Sequence, residues 1–374
     1  MLESDEIGIR PGPDATLIGS VACLVALGLI MVFSASSAEA VATLHDGAYY
    51  FKRQLLMLLV ALAAAYVAYR VDYRRLRPLA PAGLALSLLL LTLVWIPHVG
   101  IQTYGAARWL GVGPFSFQPS EFAKLALILY LATALASKGE RIRSLTRGVV
   151  PVATVSALLA VLVLKEPDMG TASLFALTTA VLLYVAGARF AHIALIGLVT
   201  LPGAVFLIVH DPYKRDRILA FMQPWKHAKA EGFQIVQSLL ALGSGGAFGR
   251  GIGFSRQKAF WLPEAHTDFI GSIIGEELGF VGMLAIVVLF VAFAYRAARI
   301  ALGAPDRFGF FLALGCMAMI VIQAFISVGV VTASWPVTGV PLPFISFGGS
   351  SLIVSLVAVA LVANVGRHRR TART

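Results

Sequence analysis

Charge is scarce in this chain. Asp, Glu, Lys and Arg make up 13% of its 374 residues, where soluble domains carry about 25%. Apolar residues fill the gap, at 59%. Cysteine is almost absent. Cys23 and Cys316 both fall inside apolar runs and read as small core hydrophobes. With no CxxC, HExxH or zinc-ligand spacing, nothing points to a redox centre or a structural zinc. A secretory leader is also missing. The 17–33 run precedes Ser34-Ala-Ser-Ser-Ala-Glu-Ala40, which imitates a cleavage site. The segment before it, however, is acidic, with Arg10 its only basic residue, and makes a poor n-region. The first run is expected to stay as a helix.

What the chain does have is apolar runs near the ~20 residues that cross a bilayer. Packed in a soluble protein, such helices would need polar faces. Ten spans are expected, at about 15–37, 53–69, 78–97, 119–137, 149–164, 170–187, 191–210, 269–295, 308–330 and 350–366. The expected fold class is an all-α polytopic membrane protein. It forms one integral-membrane domain over 1–374, with a large extracytoplasmic loop at about 211–268 before the eighth helix. Basic residues alternate along it. Arg70, Arg74, Arg75 and Arg77 follow span two, and Lys138, Arg141, Arg143 and Arg147 follow span four. Arg189 follows span six, Arg296, Arg299 and Arg307 follow span eight, and Arg367, Arg369, Arg370 and Arg373 end the chain. The positive-inside rule places these loops, and both termini, in the cytoplasm. The net charge of +11 is then accounted for by anchoring loops, and no nucleic-acid partner is expected.

The other side collects the unusual residues. In Trp261-Leu-Pro-Glu-Ala-His-Thr-Asp-Phe-Ile270 a polar segment turns into span eight, with Glu264, His266, Thr267 and Asp268 crowding its entrance. Thr267 or Asp268 could simply cap the helix. The 211–267 segment carries eight basic residues, Arg215 and Arg217 among them. They either reflect a loop long enough to be translocated regardless of charge or attract an anion such as a phosphate. Arg108, beside Trp109, fits an interfacial anchor or a two-donor phosphate clamp. Gln118, Glu121 and Lys124 share a helix face, either as a self-neutralising pair or as a polar cavity wall. Lys165-Glu-Pro-Asp-Met-Gly-Thr171 makes a turn in which Asp168 could cap span six, while Lys165 lacks a simple structural account. The six glycines of 243–253 read as a flexible turn. The 233–242 stretch is amphipathic and could lie in the interface. The three prolines and three glycines of 335–351 exclude a regular helix; at membrane depth such backbone needs protein or a wet cavity beside it, and is expected to wall the same site.

Taken together the chain resembles the SEDS (shape, elongation, division and sporulation) glycosyltransferases of bacterial cell-wall synthesis. The residues that carry the likeness are Gly105-Ala-Ala-Arg108-Trp109-Leu, Phe117-Gln-Pro-Ser-Glu121, Pro167-Asp-Met-Gly-Thr171, Gln237-Ser-Leu, Gly243-Ser-Gly-Gly, Leu262-Pro-Glu-Ala-His-Thr-Asp268-Phe, Glu276-Glu-Leu-Gly-Phe and Pro341-Leu-Pro-Phe-Ile-Ser-Phe-Gly-Gly-Ser-Ser. Length and short termini look like the rod-elongation branch more than the division branch. Phe347, Trp335 and the run from Ser327 depart from the family pattern. The resemblance implies polymerisation of lipid II at the outer face of the bacterial cytoplasmic membrane, with inversion and release of undecaprenyl pyrophosphate. It also implies a class B penicillin-binding transpeptidase as partner, beside membrane lipids. Asp268 is the expected base. Arg108, Lys124, Lys165, Arg215 and Arg217 are expected near the diphosphate, with Glu121, Asp168, Glu264, His266 and Thr267 in support. A divalent cation, Mg²⁺ or Mn²⁺, could assist, with its ligands unknown; no organic cofactor is expected. The alternative is a lipid-precursor flippase, which would show inverted repeats and polar residues through both membrane halves.

Overall fold

The computed structural model describes residues 14–96, 100–103, 106–112, 115–230, 232–258 and 261–368. Among these are twelve α-helices: α1 (Ala15–Leu44), α2 (Tyr49–Arg70), α3 (Ala80–Leu93), α4 (Pro119–Lys138), α5 (Val150–Lys165), α6 (Met169–Val185), α7 (Phe190–Val209), α8 (Pro212–Met222), α9 (Phe233–Gly245), α10 (Ile270–Leu302), α11 (Arg307–Val331) and α12 (Gly349–Arg367). Eight helical segments are long and apolar enough to cross a membrane, with α6 and 190–203 as shorter apolar helices. The fold is therefore multi-pass. The eight do not include α6 and α7, which the expected ten count as spans.

The bundle is unevenly packed. On α11 and α12, Cys316, Ile320, Ala358 and Val362 are wholly buried, whereas α7 has no buried residue among those described. Cys316 is thus the core residue expected, but Cys23 is exposed on α1. At the arginine-rich end the described acids are bonded to caps and cations or hydroxyls. Asp14 caps α1 by accepting from Leu17 N at 3.0 Å and pairs with Arg296 of α10, whose Nε lies 3.1 Å away. That guanidinium holds the Asp14 carboxyl below its usual range. Asn364 of α12 donates to the carbonyls of Ala68, Tyr69 and Val71, and its Oδ1 accepts from Tyr73 N. The Tyr73 hydroxyl donates to Asp306, which caps α11 through Gly309 N at 2.8 Å.

The opposite end departs from the sequence reading in four ways. First, an antiparallel sheet interrupts the all-α pattern: β1 (Gly100–Thr103), β2 (Ala106–Val112) and β3 (Phe115–Phe117), in the order β1-β2-β3. Second, the expected loop at 211–268 contains α8 and α9. Third, α9 is an internal helix and does not lie free in the interface. Its Ile235, Val236 and Ala241 are buried, and Ser238 Oγ sits 2.6 Å from both Ser272 Oγ and the Val331 carbonyl oxygen.

Fourth, the glycine-rich stretch is fixed in place. Helix α10 breaks at Gly279 (φ +68°). The freed backbone bonds the loop instead: Arg250 N to Glu276 O at 2.9 Å, Gly251 N to Glu277 O at 3.0 Å, and Phe280 N to Gly246 O at 2.9 Å. A Cβ on Gly249 would stand 2.1 Å from Glu277 O, so only glycine permits this approach. The neighbouring Glu276 and Glu277 take different partners in the same segment. Glu276 accepts from Ser255 Oγ, Arg256 N and Gln257 N, while Glu277 accepts from Lys258 Nζ at 2.9 Å and Ser34 Oγ at 2.8 Å.

Candidate functional site

The segment before α10 is a compact turn. Glu264 adopts left-handed backbone (φ +57°), and its carbonyl accepts from Thr267 N and Phe269 N. Thr267 Oγ1 donates to Glu264 Oε2 at 2.6 Å. The N-cap of α10 is Phe269, without a side-chain cap bond. Neither Thr267 nor Asp268 therefore caps this helix, and the Asp268 carboxyl is turned to another use.

The Pro-rich segment forms the wall expected of it. Ser346 Oγ donates to Thr267 O at 2.7 Å and accepts from Leu342 N at 2.8 Å, and Phe347 N donates to His266 O at 2.9 Å. Gln54 of α2 holds the same segment through Ser346 O and Gly348 N. His266 is buried between Tyr50 (4.4 Å between ring centres) and Phe347 (5.6 Å). Its Nδ1 is 3.4 Å from Glu39 Oε2, an ion-pair distance without a formed hydrogen bond. His266 and Thr267 thus support the segment.

Arg108, carried on β2, donates from Nε to Glu166 O at 2.8 Å and from Nη2 to Pro167 O at 2.7 Å, pinning the α5–α6 turn. Its third nitrogen faces the Pro-rich wall. A Cβ placed on Gly339 would lie 3.6 Å from Arg108 Nη1 and 3.4 Å from Asp268 Oδ2. The base candidate and the guanidinium therefore flank one glycine. Arg217 of α8 reaches the same wall, 3.4 Å from Val337 O. Burial, with Glu264 and Asp168 adding like charge, pushes the Asp268 carboxyl up to about 7, while Arg217 and Arg108 pull it down. Near neutral pH it is thus divided between base and acid forms, the range in which a general base works best.

Glu166, which nothing in the sequence distinguishes from its neighbours, is buried with neither carboxyl oxygen bonded. Burial and Asp168 push it up to about 9 against Arg108. Asp168 itself caps α6, accepting from Thr171 N at 2.9 Å.

Other expected residues stand apart. Lys165 and Arg215 are exposed, and Arg215 lies 3.3 Å from Asp216. Glu121 and Lys124 form a buried pair at 2.7 Å, and Lys124 also donates to Gln323 Oε1 at 3.0 Å. Gln323 in turn donates to Pro341 O at 2.9 Å, so the pair props the Pro-rich wall from behind. Glu121 Oε2 remains unbonded. Gln323 and Gln54 were legible only as lone amides in apolar spans. The charge expected of the 211–267 segment is partly spent. Lys214 pairs with Asp211, and Arg250 and Lys258 with Glu276 and Glu277.

Beside the wall, α5, α6 and α7 enclose a cavity of about 1070 Å³, lined by Ala160, Leu164, Ala176 and Ile196, with Trp335 and Thr338 at its rim. Among the described residues no group of three or more His, Cys, Asp and Glu could hold a metal ion.

Known proteins resemble this chain. Residues 14–371 match the FtsW/RodA/SpoVE family of cell cycle proteins. A probable peptidoglycan glycosyltransferase FtsW of Trichlorobacter lovleyi is 47% identical over 94% of this chain and 92% of its own. Stage V sporulation protein E of Bacillus subtilis is 45% identical over 96% of this chain and 99% of its own. Among solved structures, a chain from a peptidoglycan synthase complex, in which polymerisation and crosslinking are coordinated, superposes with a TM-score of 0.77. It is 33% identical over 96% of this chain and 99% of that one. The rod-shape-determining protein RodA of Thermus thermophilus superposes at 0.70, with 30% identity over 96% and 98%.

Proposed function

Since the chain belongs to the FtsW/RodA/SpoVE family, the SEDS peptidoglycan glycosyltransferases, we propose that Asp268 is the general base with which it joins sugars. The protein is a glycosyltransferase that polymerises lipid II into glycan strands at the membrane. Identity runs higher to the FtsW and sporulation proteins than to the RodA structure, so the rod-elongation role stays a proposal.

The observation that supports the assignment of Asp268 is its carboxyl beside Gly339, flanked by Arg108 and raised to about 7. The carboxylate takes the proton from an acceptor hydroxyl. That oxygen attacks the anomeric carbon of the donor sugar from the face opposite the diphosphate, and the C–O bond to undecaprenyl pyrophosphate breaks with inversion. Arg108 and Arg217 are the cations placed to meet charge growing on the leaving oxygen. The apolar cavity of α5–α7 gives the polyprenyl chain a place beside them. Lys165 and Arg215 are assigned to longer-range attraction of the anion, and Glu121 and Lys124 to holding the wall.

A divalent cation would be held chiefly by the phosphates, with one carboxylate, Glu264, as its protein ligand, which leaves Asp268 free to act as base. It would neutralise diphosphate charge. By the alternation of basic loops, both termini are cytoplasmic and the Asp268 end faces outward, with α6 and α7 completing ten spans in the bacterial inner membrane. The solved synthase complex supports partnership with a crosslinking transpeptidase of class B type. The flippase reading loses support, because the carboxyl oxygens left unbonded, those of Glu166 and Oε2 of Glu121, lie at one end among the described residues.

Polymerisation of purified lipid II by the wild type and by Asp268→Asn tests this reading. Glycan product from the variant at the wild-type rate overturns the base assignment.

A further inference from the structure

The glycine-rich loop raises a separate question: why is so much bonding spent on holding apolar side chains away from the protein? Phe248, Ile252 and Phe254 are 84%, 54% and 73% exposed. A loop free to move in water would fold such residues inward. Here backbone bonds to α10 and the Glu276 and Glu277 carboxylates keep them out.

Two polar rungs between α1 and α10 give the loop's level. Asp14 meets Arg296 at one end, and Ser34 meets Glu277 at the other. Along either helix the rungs are some twenty residues apart, roughly 30 Å at 1.5 Å per residue. That is about the thickness of a bilayer's hydrocarbon core. Both rungs are thus placed at its edges, where charge is tolerated. Because the loop hangs on Glu276 and Glu277, it lies at the edge plane. Below it the exposed face continues into Phe280, Val281 and Leu284 of α10, which face acyl chains. Arg256 is exposed, and Arg250, although it leans on Glu276 at 3.6 Å, keeps 34% of its side chain exposed; both stand among the apolar residues, at the height of lipid phosphates.

We infer that the 246–254 loop is a rigid membrane-seating element, with Phe248, Ile252 and Phe254 inserted among the outer acyl chains and Arg250 and Arg256 on phospholipid phosphates. Apolar side chains below cations is the pattern of an interfacial anchor. The occupant is phospholipid, because the patch is continuous with the lipid-facing strip of α10 and its charges complement phosphate. One consequence concerns height. The start of α10 at Ile270 lies about two helical turns beyond Glu277, ~10 Å above the hydrocarbon edge, so Asp268, in the turn just before it, sits among the headgroups. That step rests on the proposed role of Asp268; the seating itself does not.

Depth measurement tests it. In a background with Cys23 and Cys316 replaced by alanine, Ile252→Cys, Phe248→Cys and Lys229→Cys are each spin-labelled. Each protein is reconstituted alone in phosphatidylglycerol–phosphatidylethanolamine vesicles. Labels at 252 and 248 should collide severalfold more with oxygen than with a soluble nickel chelate, and the label at 229 should show the reverse. Nickel access at 252 and 248 equal to that at 229 overturns the proposal. So does shielding from both reagents, which would mark a protein contact. Two loop positions guard against one variant failing to fold.

Discussion

The two ends of the bundle treat their acids in opposite ways. At the arginine-rich end, Asp14 and Asp306 each have a helix to cap and a cation or hydroxyl to meet, and Asn364 bonds in four directions. At the Asp268 end, Glu166 has no bond on either oxygen and Glu121 lacks one on Oε2, and Asp268 titrates near neutrality. Satisfied polar groups hold a structure together. Under-satisfied ones lie where the site is proposed. The Glu276–Glu277 clasp shows that the difference is not one of end alone. It lies on the Asp268 side yet is fully bonded, and it belongs with the scaffold.

The sharpest break would come from Asp268→Asn. Its polymerisation of lipid II should fall ~10²–10⁴-fold, the usual contribution of a positioned base, with the melting temperature unchanged or raised. A variant that melts early and polymerises normally would move Asp268 to the scaffold side. Next is Lys124→Met, which leaves Glu121 buried without its cation. A loss of about 3–5 kcal/mol is expected, recovered in large part by Glu121→Gln in the same chain. If the double variant is as unstable as the single one, the pair does not act as a unit.

Asn364→Ala should cost about 1–2 kcal/mol in thermal unfolding, with kcat of the folded fraction unaltered. A specific loss of kcat would blur the distinction between the ends. The smallest effect is in pH. Activity that needs the ionised form rises as pH passes the Asp268 value, about 7. Arg108→Gln removes a charge that lowers that value, so the rising limb should move to higher pH. Glu264→Gln removes one that raises it, so the limb should move to lower pH. Shifts of the same sign would show that another group sets the profile.

Much of this division was readable from residues alone. A polar cluster at the start of span eight and a Pro-rich break are local patterns, and the structure brings the two into contact. What escaped was set by distance along the chain. Glu166 lies one hundred and two residues before Asp268, and Gly339 seventy-one after it; no spacing rule joins them. The sheet was missed because β1 and β3 have only four and three residues, and Ala-Ala-Arg-Trp-Leu-Gly-Val of β2 does not alternate. The glycine-rich stretch was misjudged because composition reports what glycine allows. Here the break at Gly279 of another element decides what it does. Glu276 and Glu277 point apart, as adjacent helical residues must, yet a loop that wraps the helix reaches both.

Helix α7 has a consequence of another kind. It buries none of its described residues, stands beside a cavity and exposes large apolar side chains such as Leu198 and Val199, whereas most of α12 is buried. Tolerance to random substitution should therefore differ steeply between the two. Many exchanges among apolar residues would pass unnoticed at Leu198 or Val199, while Ala358 and Val362 would accept few. In a library screened for growth, α7 would read as nearly blank sequence. A position there that proved intolerant would be reporting contact with something other than the protein.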